Sequence, residues 1–543
     1  MNAPTAPIVL GIDLGTTNSA CALVRDGRAS VVRRGDDRII PSMVGALPDG
    51  RLVVGPDAKR LRERDPTNVV WSAKRLIGRR FRSPEVQRMM RTVPYRIAEG
   101  PNESVMVEIG GRRLSVVEVS SAVLRYLRVM AEEALGSRVR RCVVAVPANF
   151  TDSQRAATRV AARLAGLDVI RVINEPTAAA LAYGYVEDVD RRIAVYDFGG
   201  GTFDVTILQI TRNVFEVLAT SGEMFLGGDD IDEVIVERMA DAFRRRTGVD
   251  PRTKTQAAAR LRAVAEQVKI QLSESAQASV YVEDLLGDGR DLSFSLTEAD
   301  LRAAIGPIVE RTVPVCHEAL ELAGLAPRQI DEVVLVGGTT RLGIVRDVVE
   351  RVFGKRPQTS INPMSVVAVG AAIQGAALVG ALVPMAGGGV STANMPQSAV
   401  LLDVTPRSLG VRTVGGFVDF VIERNAAIPT EQTRLFTTTT DDQSYVRIQV
   451  CQGESERFDD NIKLGEITLA GLRKAPRGEV TIAVTFEINT DGLLEVRALD
   501  EETGAEQVAT MRVLGGLPEE EVRAILARQK EQAPDDAGAP APR

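Results

Sequence analysis

The sequence predicts an α/β unit followed by an all-β unit, and three observations support that division. From Ile8 to about Val383, β-type runs alternate with helical patterns, as they do when helices cover the faces of a sheet. From Val404 to Val513, short alternating strands with turns such as Gly415-Gly416 and Asp491-Gly492 are typical of a β-sandwich. Between the two units, Pro384–Pro396 is rich in Gly, Ser, Thr and Asn, which predicts a flexible linker.

Within the α/β unit, the hydrophobic pattern switches repeatedly between the strand period and the helix period. The clearest predicted strands are Ile8–Asp13, Cys142–Val146, Ile193–Asp197 and Glu332–Val336. The clearest predicted helices are Val117–Leu135, Asp152–Ala165, Ala257–Leu272 and Leu301–Ala323. In the all-β unit, the clearest alternating strands are Tyr445–Val450 and Val480–Ile488.

These changes of pattern divide the 543 residues into five predicted segments. An α/β domain covers 1–383, a linker 384–403, a β-sandwich 404–515, a short helix 516–532 and a disordered tail 533–543. The linker ends in the apolar patch Val400-Leu401-Leu402, directly before Asp403. The helix is predicted because Pro518 suits the first helical position and Glu519–Glu521 favour the N-terminal end of a helix dipole. We expect this helix to brace the sandwich.

Composition excludes several classes of function. The formal net charge is −6, from 66 basic and 72 acidic residues, so no domain-wide basic excess indicates nucleic-acid binding. Basic runs such as Arg138–Arg141 are expected to be solvated faces. The single His317 cannot form a His-based metal site or triad. The cysteines have no metal-ligand spacing and favour a reducing compartment; they are Cys21, Cys142, Cys316 and Cys451.

Neither a membrane span nor a secretory signal is expected. The segment Val366–Ala386 is long and nearly uncharged, but it is mostly Ala, Gly and Val, with Gln374 in its middle and no aromatic belt. We predict a buried helix there, inside a large soluble domain. The N-terminus has no charged region before its apolar stretch, so a cytoplasmic protein is expected.

Two similar Gly/Thr turns carry the predicted chemistry. They are Gly11-Ile12-Asp13-Leu14-Gly15-Thr16-Thr17-Asn18-Ser19 and Asp197-Phe198-Gly199-Gly200-Gly201-Thr202-Phe203-Asp204. Glycines let backbone N–H groups approach phosphate oxygens, hydroxyls add donors, and Asp carboxylates suit Mg²⁺. One copy alone is more often a structural hairpin, whereas two copies favour a duplicated fold whose halves clamp one nucleotide. The chain has no G-x-x-x-x-G-K-[ST] loop and its glycine turns lead into strands, which excludes P-loop and Rossmann folds.

Further features are compatible with a nucleotide ligand. A third glycine turn, Val336–Arg341, follows a predicted strand and would bring backbone close to a ligand. Glu266, Lys269 and Ser273 lie on one face of a predicted helix, which either binds adenosine hydroxyls or is a solvated surface. Only eight of the 66 basic residues are Lys, so Lys74 and Lys269 are candidates for sites that need a compact ammonium group.

Several long motifs, in the same order, resemble the seventy-kilodalton heat-shock chaperones of the bacterial DnaK type. The motifs are Lys74-Arg75-Leu76-Ile77-Gly78-Arg79-Arg80-Phe81, Asn174-Glu175-Pro176-Thr177-Ala178-Ala179-Ala180 and Leu401-Leu402-Asp403-Val404-Thr405-Pro406, together with the three glycine turns. The resemblance covers about residues 8–515. It implies a duplicated actin-like (ribonuclease-H-like) ATPase domain followed by a β-sandwich that binds extended peptide.

The resemblance also implies a nucleotide site for ATP or ADP with Mg²⁺, with K⁺ as a further candidate cation. Asp13, Glu175 and Asp204 would surround Mg²⁺ and the attacking water, with Mg²⁺ held by Asp13 and Asp204 through water. Lys74 and Thr202 would act at the γ-phosphate. The implied nucleotide contacts are Gly15, Thr16, Thr17, Asn18, Gly199, Gly200, Gly201 and Thr202 for phosphate, and Glu266, Lys269, Ser273, Gly337, Gly338 and Arg341 around adenosine.

Coupling and peptide binding are implied in the same way. Pro147 and Arg155 match an interlobe relay, and Leu401 and Leu402 match the coupling linker. The residues that match the surface for a J-domain co-chaperone are Arg171, Asn174 and Asp403. The residues that match the central peptide pocket are Val411, Phe436, Val446, Ile448 and Ile482, with Val414 and Thr439 arching over the peptide. The implied partners are unfolded polypeptides, a J-domain co-chaperone and a GrpE-type nucleotide exchange factor, with no nucleic acid and no membrane.

The sequence departs from the family pattern at four places. A long helical lid is expected to be missing after Pro518, Asn149 replaces a usual Tyr, and Ser398-Ala399-Val400 softens the acidic start of the linker. Asn362-Pro363-Met364-Ser365 lacks a usual acidic pair. These departures affect the expected peptide retention, coupling strength and cation dependence rather than ATP binding.

The leading interpretation is an ATP-dependent chaperone in which ATP binding and hydrolysis gate peptide affinity. A sugar-kinase-like enzyme or a filament-forming ATPase would explain the phosphate turns but not the linker and the sandwich. A nucleotide-gated peptide-binding protein with little or no hydrolysis is the alternative. ATP turnover measured with and without an extended peptide distinguishes the two.

Overall fold

The computed structural model of the protein describes residues 8–183, 190–211, 214–380, 400–405, 407–489 and 494–510, with Arg523, Ile525 and Ala527 of a C-terminal helix. The predicted turn at Asp491-Gly492, most of the predicted linker and the predicted tail 533–543 lie outside the described residues.

The first lobe is a mixed sheet covered by helices. Its strands are β1 (Val9–Asp13), β2 (Asn18–Arg25), β3 (Arg28–Val31), β4 (Ile40–Pro41), β5 (Val44–Ala46), β6 (Leu52–Val54), β7 (Val69–Val70), β8 (Arg96–Glu99), β9 (Val105–Ile109), β10 (Arg112–Ser115), β11 (Arg141–Val146) and β12 (Asp168–Asn174). Its helices are α1 (Pro56–Arg64), α2 (Pro84–Thr92), α3 (Val116–Leu135), α4 (Asp152–Leu164) and α5 (Glu175–Ala182). The main sheet has the order β12-β11-β1-β2-β3, with β4 paired to β2.

The second lobe repeats this plan. Its strands are β13 (Arg191–Phe198), β14 (Phe203–Thr211), β15 (Val214–Glu223), β16 (Gln277–Val282), β17 (Leu292–Thr297) and β18 (Glu332–Val336). Its helices are α6 (Gly228–Thr247), α7 (Thr255–Leu272), α8 (Glu298–Glu310), α9 (Thr312–Leu322), α10 (Gly343–Phe353) and α11 (Val366–Leu378). In the main sheet β18 lies parallel to β13, which is followed by antiparallel β14 and β15, just as β11 lies parallel to β1 in the first lobe.

The predicted strands and helices of the α/β unit are confirmed to within a few residues, with one exception. The single helix predicted over Leu301–Ala323 is wrong, because the chain forms α8 and α9 with Arg311 between them. Pro314 has no N–H to donate to the carbonyl group of Glu310, which weakens the helical ladder where Arg311 interrupts it, although α8 accommodates Pro307 in its interior. A proline is tolerated in the first turn of α9 instead.

The two lobes meet at α5 and α11, which pack closely enough to require glycine. A Cβ atom at Gly370 of α11 would lie 1.6 Å from the carbonyl oxygen of Ala178 in α5. Helix α11 is buried along most of its length, including Gln374. The predicted buried helix is therefore confirmed over Val366–Leu378, and no helix among the described residues is long and apolar enough to cross a membrane.

The C-terminal unit is a β-sandwich that follows a connecting strand. Its strands are β19 (Val400–Val404), β20 (Leu409–Arg412), β21 (Val418–Ile422), β22 (Ala427–Ile428), β23 (Thr430–Thr437), β24 (Tyr445–Gln452), β25 (Ile462–Ala470), β26 (Thr481–Ile488), β27 (Leu494–Asp500) and β28 (Glu506–Thr510). One sheet has the order β21-β20-β24-β25 and the other β23-β26-β27-β28. Alternate residues such as Val450, Ile482 and Phe486 fill the core between them.

The described part of the C-terminal helix packs on the first lobe. Ile525 is buried in the core of that lobe and lines a groove with Val54 of β6 and Tyr126 of α3. The expectation that this helix braces the sandwich is therefore wrong for Ile525. The apolar side chain is buried by α3, a partner that lies far away in sequence and that no local pattern could indicate.

Candidate functional site

Two facing turns form the base of the cleft between the lobes. The first joins β1 to β2, and the strand register places Asp13 opposite Ala20. The second joins β13 to β14, and its register places Asp197 opposite Asp204. A cavity of about 80 Å³ lies between the turns. Its lining residues are Asp13, Gly15, Thr16, Thr17, Asn18, Lys74, Glu175, Asp197, Gly199, Gly200, Thr202, Val336, Gly337, Gly338, Pro363 and Met364.

The turns approach each other so closely that glycine is required at particular positions. A Cβ atom at Gly200 would lie 2.0 Å from Oγ1 of Thr17 in the opposite turn. Gly337 of the third turn has φ 85°, and a Cβ atom there would lie 2.3 Å from the carbonyl oxygen of Phe198. The hydroxyl of Thr17 is buried without a hydrogen-bond partner, so it is a donor available to a phosphate in the cavity.

A buried ion pair lies beside the turns. Lys74, from a short 3₁₀ turn over Ala73–Arg75, places Nζ 2.5 Å from Oε1 of Glu175 at the start of α5. Both side chains are about 90% buried. The two residues are 101 positions apart in the sequence, and the packing of α5 against the first lobe brings them together.

The carboxylates around this pair carry more negative charge than Lys74 can offset. Burial, followed by repulsion from Glu175, raises the pKa of Asp13 to about 7. Burial and Glu175 also raise the pKa of Asp204 to about 7, although Lys74 acts in the opposite direction. Burial and the charges of Glu175, Asp204 and Asp13 hold the pKa of Asp197 well above its usual range. Burial lowers the pKa of Lys74, but Glu175 and Asp13 outweigh it and the net shift is upward.

This donor set fits a divalent cation held largely through water. Among the described residues, no three or more His, Cys, Asp or Glu side chains are placed to bind a metal directly. Mg²⁺ keeps several waters and uses few carboxylates, so direct coordination by three residues is not required. The crowding of Asp13, Asp197 and Asp204 is the kind of uncompensated charge that such a cation would neutralise.

The predicted adenosine residues are not all brought to this cavity. Gly337 and Gly338 line it, whereas Glu266 lines a separate cavity of about 450 Å³ that shares Thr17 with the first. Lys269 donates to Asp232 at 2.8 Å and to the carbonyl oxygen of Gly228 at 3.0 Å.

The remaining predicted adenosine residues also have partners within the protein. Ser273 donates to the carbonyl oxygen of Ile270 at 2.7 Å, and Arg341 lies 3.5 Å from Glu274. Across the cleft, Lys59 of the first lobe pairs with Glu266 at 2.9 Å. Of these contacts, the Lys59–Glu266 ion pair joins the two lobes across the outer part of the cleft.

The predicted relay residues connect the site to the rest of the first lobe. Arg155 of α4 donates to Oδ1 of Asn174 at 2.6 Å, and Asn174 directly precedes Glu175. The carbonyl oxygen of Pro147 accepts from the N–H of Phe150 at 3.1 Å in the loop after β11. Arg171 is half-buried in β12, whereas Asn174 at the end of that strand is fully buried.

The described end of the predicted linker forms an additional strand on the sheet of the second lobe. β19 pairs in parallel with β15, with Leu401 opposite Phe215 and Leu402 opposite Glu216. Asp403 then pairs with Ile428 of β22, so one sheet runs from the second lobe into the sandwich.

Polar contacts also join the sandwich to both lobes. Arg424 donates to the carbonyl oxygen of Thr220 at 2.8 Å and to Glu318 at 3.0 Å in the second lobe. Arg80 of the first lobe donates to the carbonyl oxygen of Lys463 at 2.9 Å.

The comparison with known families is decisive. The sequence model of the Hsp70 protein family matches residues 9–541, which is nearly the whole chain. The chain belongs to the Hsp70 family. Membership supports a chaperone function in general, and Hsp70 proteins are ATPases that bind nucleotide with Mg²⁺, unfolded polypeptides and co-chaperones. The predicted family and the predicted fold class, a duplicated actin-like ATPase domain followed by a β-sandwich, are confirmed.

The residues that match the Hsp70 peptide pocket lie at different depths in the sandwich. Val411, Ile448 and Ile482 are buried in its core, and Phe436 and Val446 are half-buried at the edge of that core. Val414 and Thr439 are exposed in the loops that follow β20 and β23. The N–H of Thr439 donates to Gln443 at 2.9 Å, which orders the second loop.

Three residues at the candidate site were not among the predicted site residues. Asp197 lines the cavity, Asn149 donates to Asp204 at 2.6 Å, and the ring of Phe150 lies 5.6 Å from Nζ of Lys74. The duplication could have indicated Asp197, because it ends its strand just as Asp13 does. No pattern indicates Asn149 or Phe150, whose contacts are made across the fold.

Proposed function

We propose that this Hsp70 protein hydrolyses ATP and uses ATP binding and hydrolysis to gate its affinity for extended apolar segments of unfolded polypeptides. The observation that carries the proposal is the buried Lys74–Glu175 pair between two facing glycine turns, surrounded by acidic groups. A nucleotide-gated peptide-binding protein with little or no hydrolysis is the second candidate. It is favoured by Met364 in the wall of the cavity, where the family usually has an acidic residue.

Phosphate binding in this proposal is done by hydroxyls and backbone N–H groups. Thr16, Thr17 and Thr202 provide hydroxyls, and Gly199–Gly201 and the turn from Gly15 to Asn18 provide the close backbone. Lys74 carries a full positive charge, because Glu175 and Asp13 raise its pKa by more than burial lowers it. A buried, preorganised ammonium group stabilises the charge that develops on a transferred phosphoryl group far more than an exposed one would.

The acidic groups have a separate role. Asp13 and Asp204 would hold Mg²⁺ through its water ligands, and the ion would neutralise charge on the phosphates. Glu175 is oriented by Lys74 and lies at the start of α5, where it can accept a hydrogen bond from an attacking water. K⁺ is a further candidate in the same acidic cluster.

The adenosine moiety would be bound above the phosphate turns. Glu266, Lys269, Ser273, Gly338 and Arg341 are proposed to hold it after the cleft opens. Opening requires the ion pairs that Glu266 makes with Lys59 and Arg62 of the first lobe to separate. Nucleotide binding would therefore be coupled to a relative motion of the two lobes.

Coupling to the sandwich would use the linker strand. The pairing of β19 with β15 makes the position of the sandwich depend on the second lobe. Pro147, Arg155 and Asn174 are proposed to relay the state of the nucleotide site, and the hydrogen bond from Arg155 to Asn174 supports this because Asn174 directly precedes Glu175. A J-domain co-chaperone is proposed to bind at Arg171, Asn174 and Asp403, and a GrpE-type exchange factor to promote opening of the cleft.

Peptide would be bound by the sandwich. Val411, Phe436, Val446, Ile448 and Ile482 are proposed to form an apolar pocket for one side chain. Val414 and Thr439 would close over the peptide from their exposed loops. An extended chain can add main-chain hydrogen bonds to such a site while the pocket provides specificity.

The test is single-turnover ATP hydrolysis with and without an extended apolar peptide. Acceleration of hydrolysis by peptide, together with faster peptide release on ATP binding, is expected. ATP-dependent peptide release without hydrolysis would support the second candidate. Peptide affinity that is the same with ATP, ADP and no nucleotide would contradict both.

A further inference from the structure

The loop between β11 and α4, residues Pro147–Thr151, lies against the catalytic charges and is held in one conformation. The N–H of Phe150 donates to the carbonyl oxygen of Pro147 at 3.1 Å, which closes a tight turn. Arg155 donates to the carbonyl oxygens of Phe150 and Ala148 at 3.3 and 3.4 Å. Gln154 and Thr151 form a capping box at the start of α4. The side chains of this loop are therefore presented at fixed positions.

One of these side chains bonds directly to a carboxylate of the site. Nδ2 of Asn149 donates to Oδ1 of Asp204 at 2.6 Å, a contact between the two lobes. Gly222 of β15 packs against this hydrogen bond. A Cβ atom at Gly222 would lie 2.1 Å from Oδ1 of Asp204 and 3.0 Å from Nδ2 of Asn149. Asp204 therefore has little freedom to turn away from this donor.

Asp204 needs such a donor because Lys74 only partly offsets the groups that disfavour its charged form. It is buried, and Glu175 is the charged neighbour that most disfavours its ionised form. A neutral amide that donates a hydrogen bond stabilises a carboxylate without adding a charge that would compete with Lys74. It also fixes which oxygen remains available to other ligands.

We propose that Asn149 is a positioning residue for Asp204, which presents the second oxygen of that carboxylate to the waters of a bound Mg²⁺. The inference rests on the proposed function of Asp204. It assigns a role to a position at which this chain differs from the Hsp70 pattern.

The test compares two substitutions at one position. Asn149→Asp keeps the size of the side chain but replaces the donor by a second carboxylate, whereas Asn149→Ala removes the side-chain amide without adding a charge. The matched control is Asn68, whose Nδ2 donates to Oδ2 of Asp65 at 2.7 Å outside the site. Asn68→Asp and Asn68→Ala make the same chemical changes to a pair that has no part in the nucleotide site.

The first readout is the Mg²⁺ concentration that ADP binding requires. Binding is detected by the fluorescence of Trp71, the single tryptophan of the chain. The Trp71 ring lines the cleft and lies 5.4 Å from the guanidinium of Arg62. We expect Asn149→Asp to raise the half-saturating Mg²⁺ concentration about tenfold or more, because it replaces a hydrogen bond to a charged group by repulsion between two carboxylates. Asn149→Ala should raise it by a smaller factor, and both Asn68 variants should behave as the unmodified protein.

A second readout separates positioning from packing. Single-turnover hydrolysis at saturating Mg²⁺ should fall about tenfold in Asn149→Asp, with less than about a twofold change in ATP affinity. An Asn149→Asp protein with an unchanged Mg²⁺ requirement would overturn the proposal, as would a loss of thermal stability alone. If the unmodified protein does not hydrolyse ATP, the proposed function fails while the ADP readout still tests Asn149.

Discussion

The two lobes contain the same strand–turn–strand unit, yet the two copies contribute different groups to the site. In the first copy Asp13 lies opposite Ala20, so this turn supplies one carboxylate together with the hydroxyls of Thr16 and Thr17. In the second copy Asp197 lies opposite Asp204, so this turn supplies two carboxylates with a glycine-rich backbone. The duplicated fold provides matching positions in the two turns. The different residue types at those positions give the first turn its hydroxyls and the second turn its additional carboxylate.

The copies also differ in what packs behind the strand. Gly11 of β1 lies two residues before Asp13, and a Cβ atom there would lie 2.0 Å from the backbone nitrogen of Ala372 in α11. The corresponding residue of the second lobe is Val195, whose side chain is fully buried. In the first lobe, the backbone of α11 therefore packs directly on Gly11. In the second lobe, the corresponding position carries the buried side chain of Val195.

The outer edges of the two sheets differ as well. In the described part of the chain the main sheet of the first lobe ends at β3, whereas that of the second lobe is extended past β15 by the linker strand β19. Communication with the sandwich through a shared sheet is therefore a property of the second copy alone.

The largest expected effect comes from substituting the two corresponding buried strand residues, Gly11 of β1 and Val195 of β13. Gly11→Val should lower the free energy of unfolding by at least about 3 kcal/mol, because a buried backbone contact has no room for a side chain. Val195→Ala in the second lobe should cost only about 1–2 kcal/mol, through lost burial and a small cavity. Urea denaturation followed by circular dichroism measures both, and equal losses would show that the packing difference between the lobes is unimportant.

The next effect concerns the division of chemical roles. Lys74→Ala should slow single-turnover ATP hydrolysis by about 100-fold or more, while ADP affinity changes far less, because the ammonium acts on the transferred phosphate. Thr202→Val in the second turn should act in the same direction through the loss of a hydroxyl. The exposed Lys474→Ala is the control. A full hydrolysis rate in the Lys74 variant would remove Lys74 from the mechanism.

The linker strand β19 offers a third test. Replacing Leu401 and Leu402 together by Asp should abolish peptide stimulation of hydrolysis, because charged residues on β19 disfavour its burial against the second lobe. Basal hydrolysis should remain. The control is Val508→Asp on an exposed position of β28. If stimulation persists in the double variant, coupling does not depend on the shared sheet.

The smallest effect concerns the extra carboxylate of the second turn. Asp204 has a folded-state pKa of about 7 against a usual value of 3.8, so its ionisation opposes folding increasingly as the pH rises from about 4 to 7. The full pKa shift corresponds to about 4 kcal/mol, but the amide that replaces the carboxylate is itself buried at a cost. Without nucleotide and Mg²⁺, Asp204→Asn should therefore be more stable than the unmodified protein by only about 1 kcal/mol at pH 8. The gain should disappear near pH 4. Thermal unfolding across this range measures it, and a gain that increases at low pH would reverse the assigned direction.

Much of the fold follows from local patterns. The alternation of strand and helix periods, the two glycine turns and the change to short strands after Val404 all reflect contacts between residues that are close in sequence. Long motifs such as Asn174–Ala180 then identify the family. The break between α8 and α9 was not predicted, because the helical pattern continues on both sides of Arg311 and a proline alone does not locate a break, as Pro307 inside α8 shows.

What only the tertiary structure decided are the contacts between distant segments. Lys74 meets Glu175, Asn149 meets Asp204 and Ile525 is buried against Tyr126, and none of these pairs has a signature in hydrophobic periodicity. Periodicity records which face of an element is buried, but not which other element buries it. The turns and the residue types of the site were readable from the sequence alone. The distances between them, and the raised pKa values of their carboxylates, arise only when two lobes close around one buried volume.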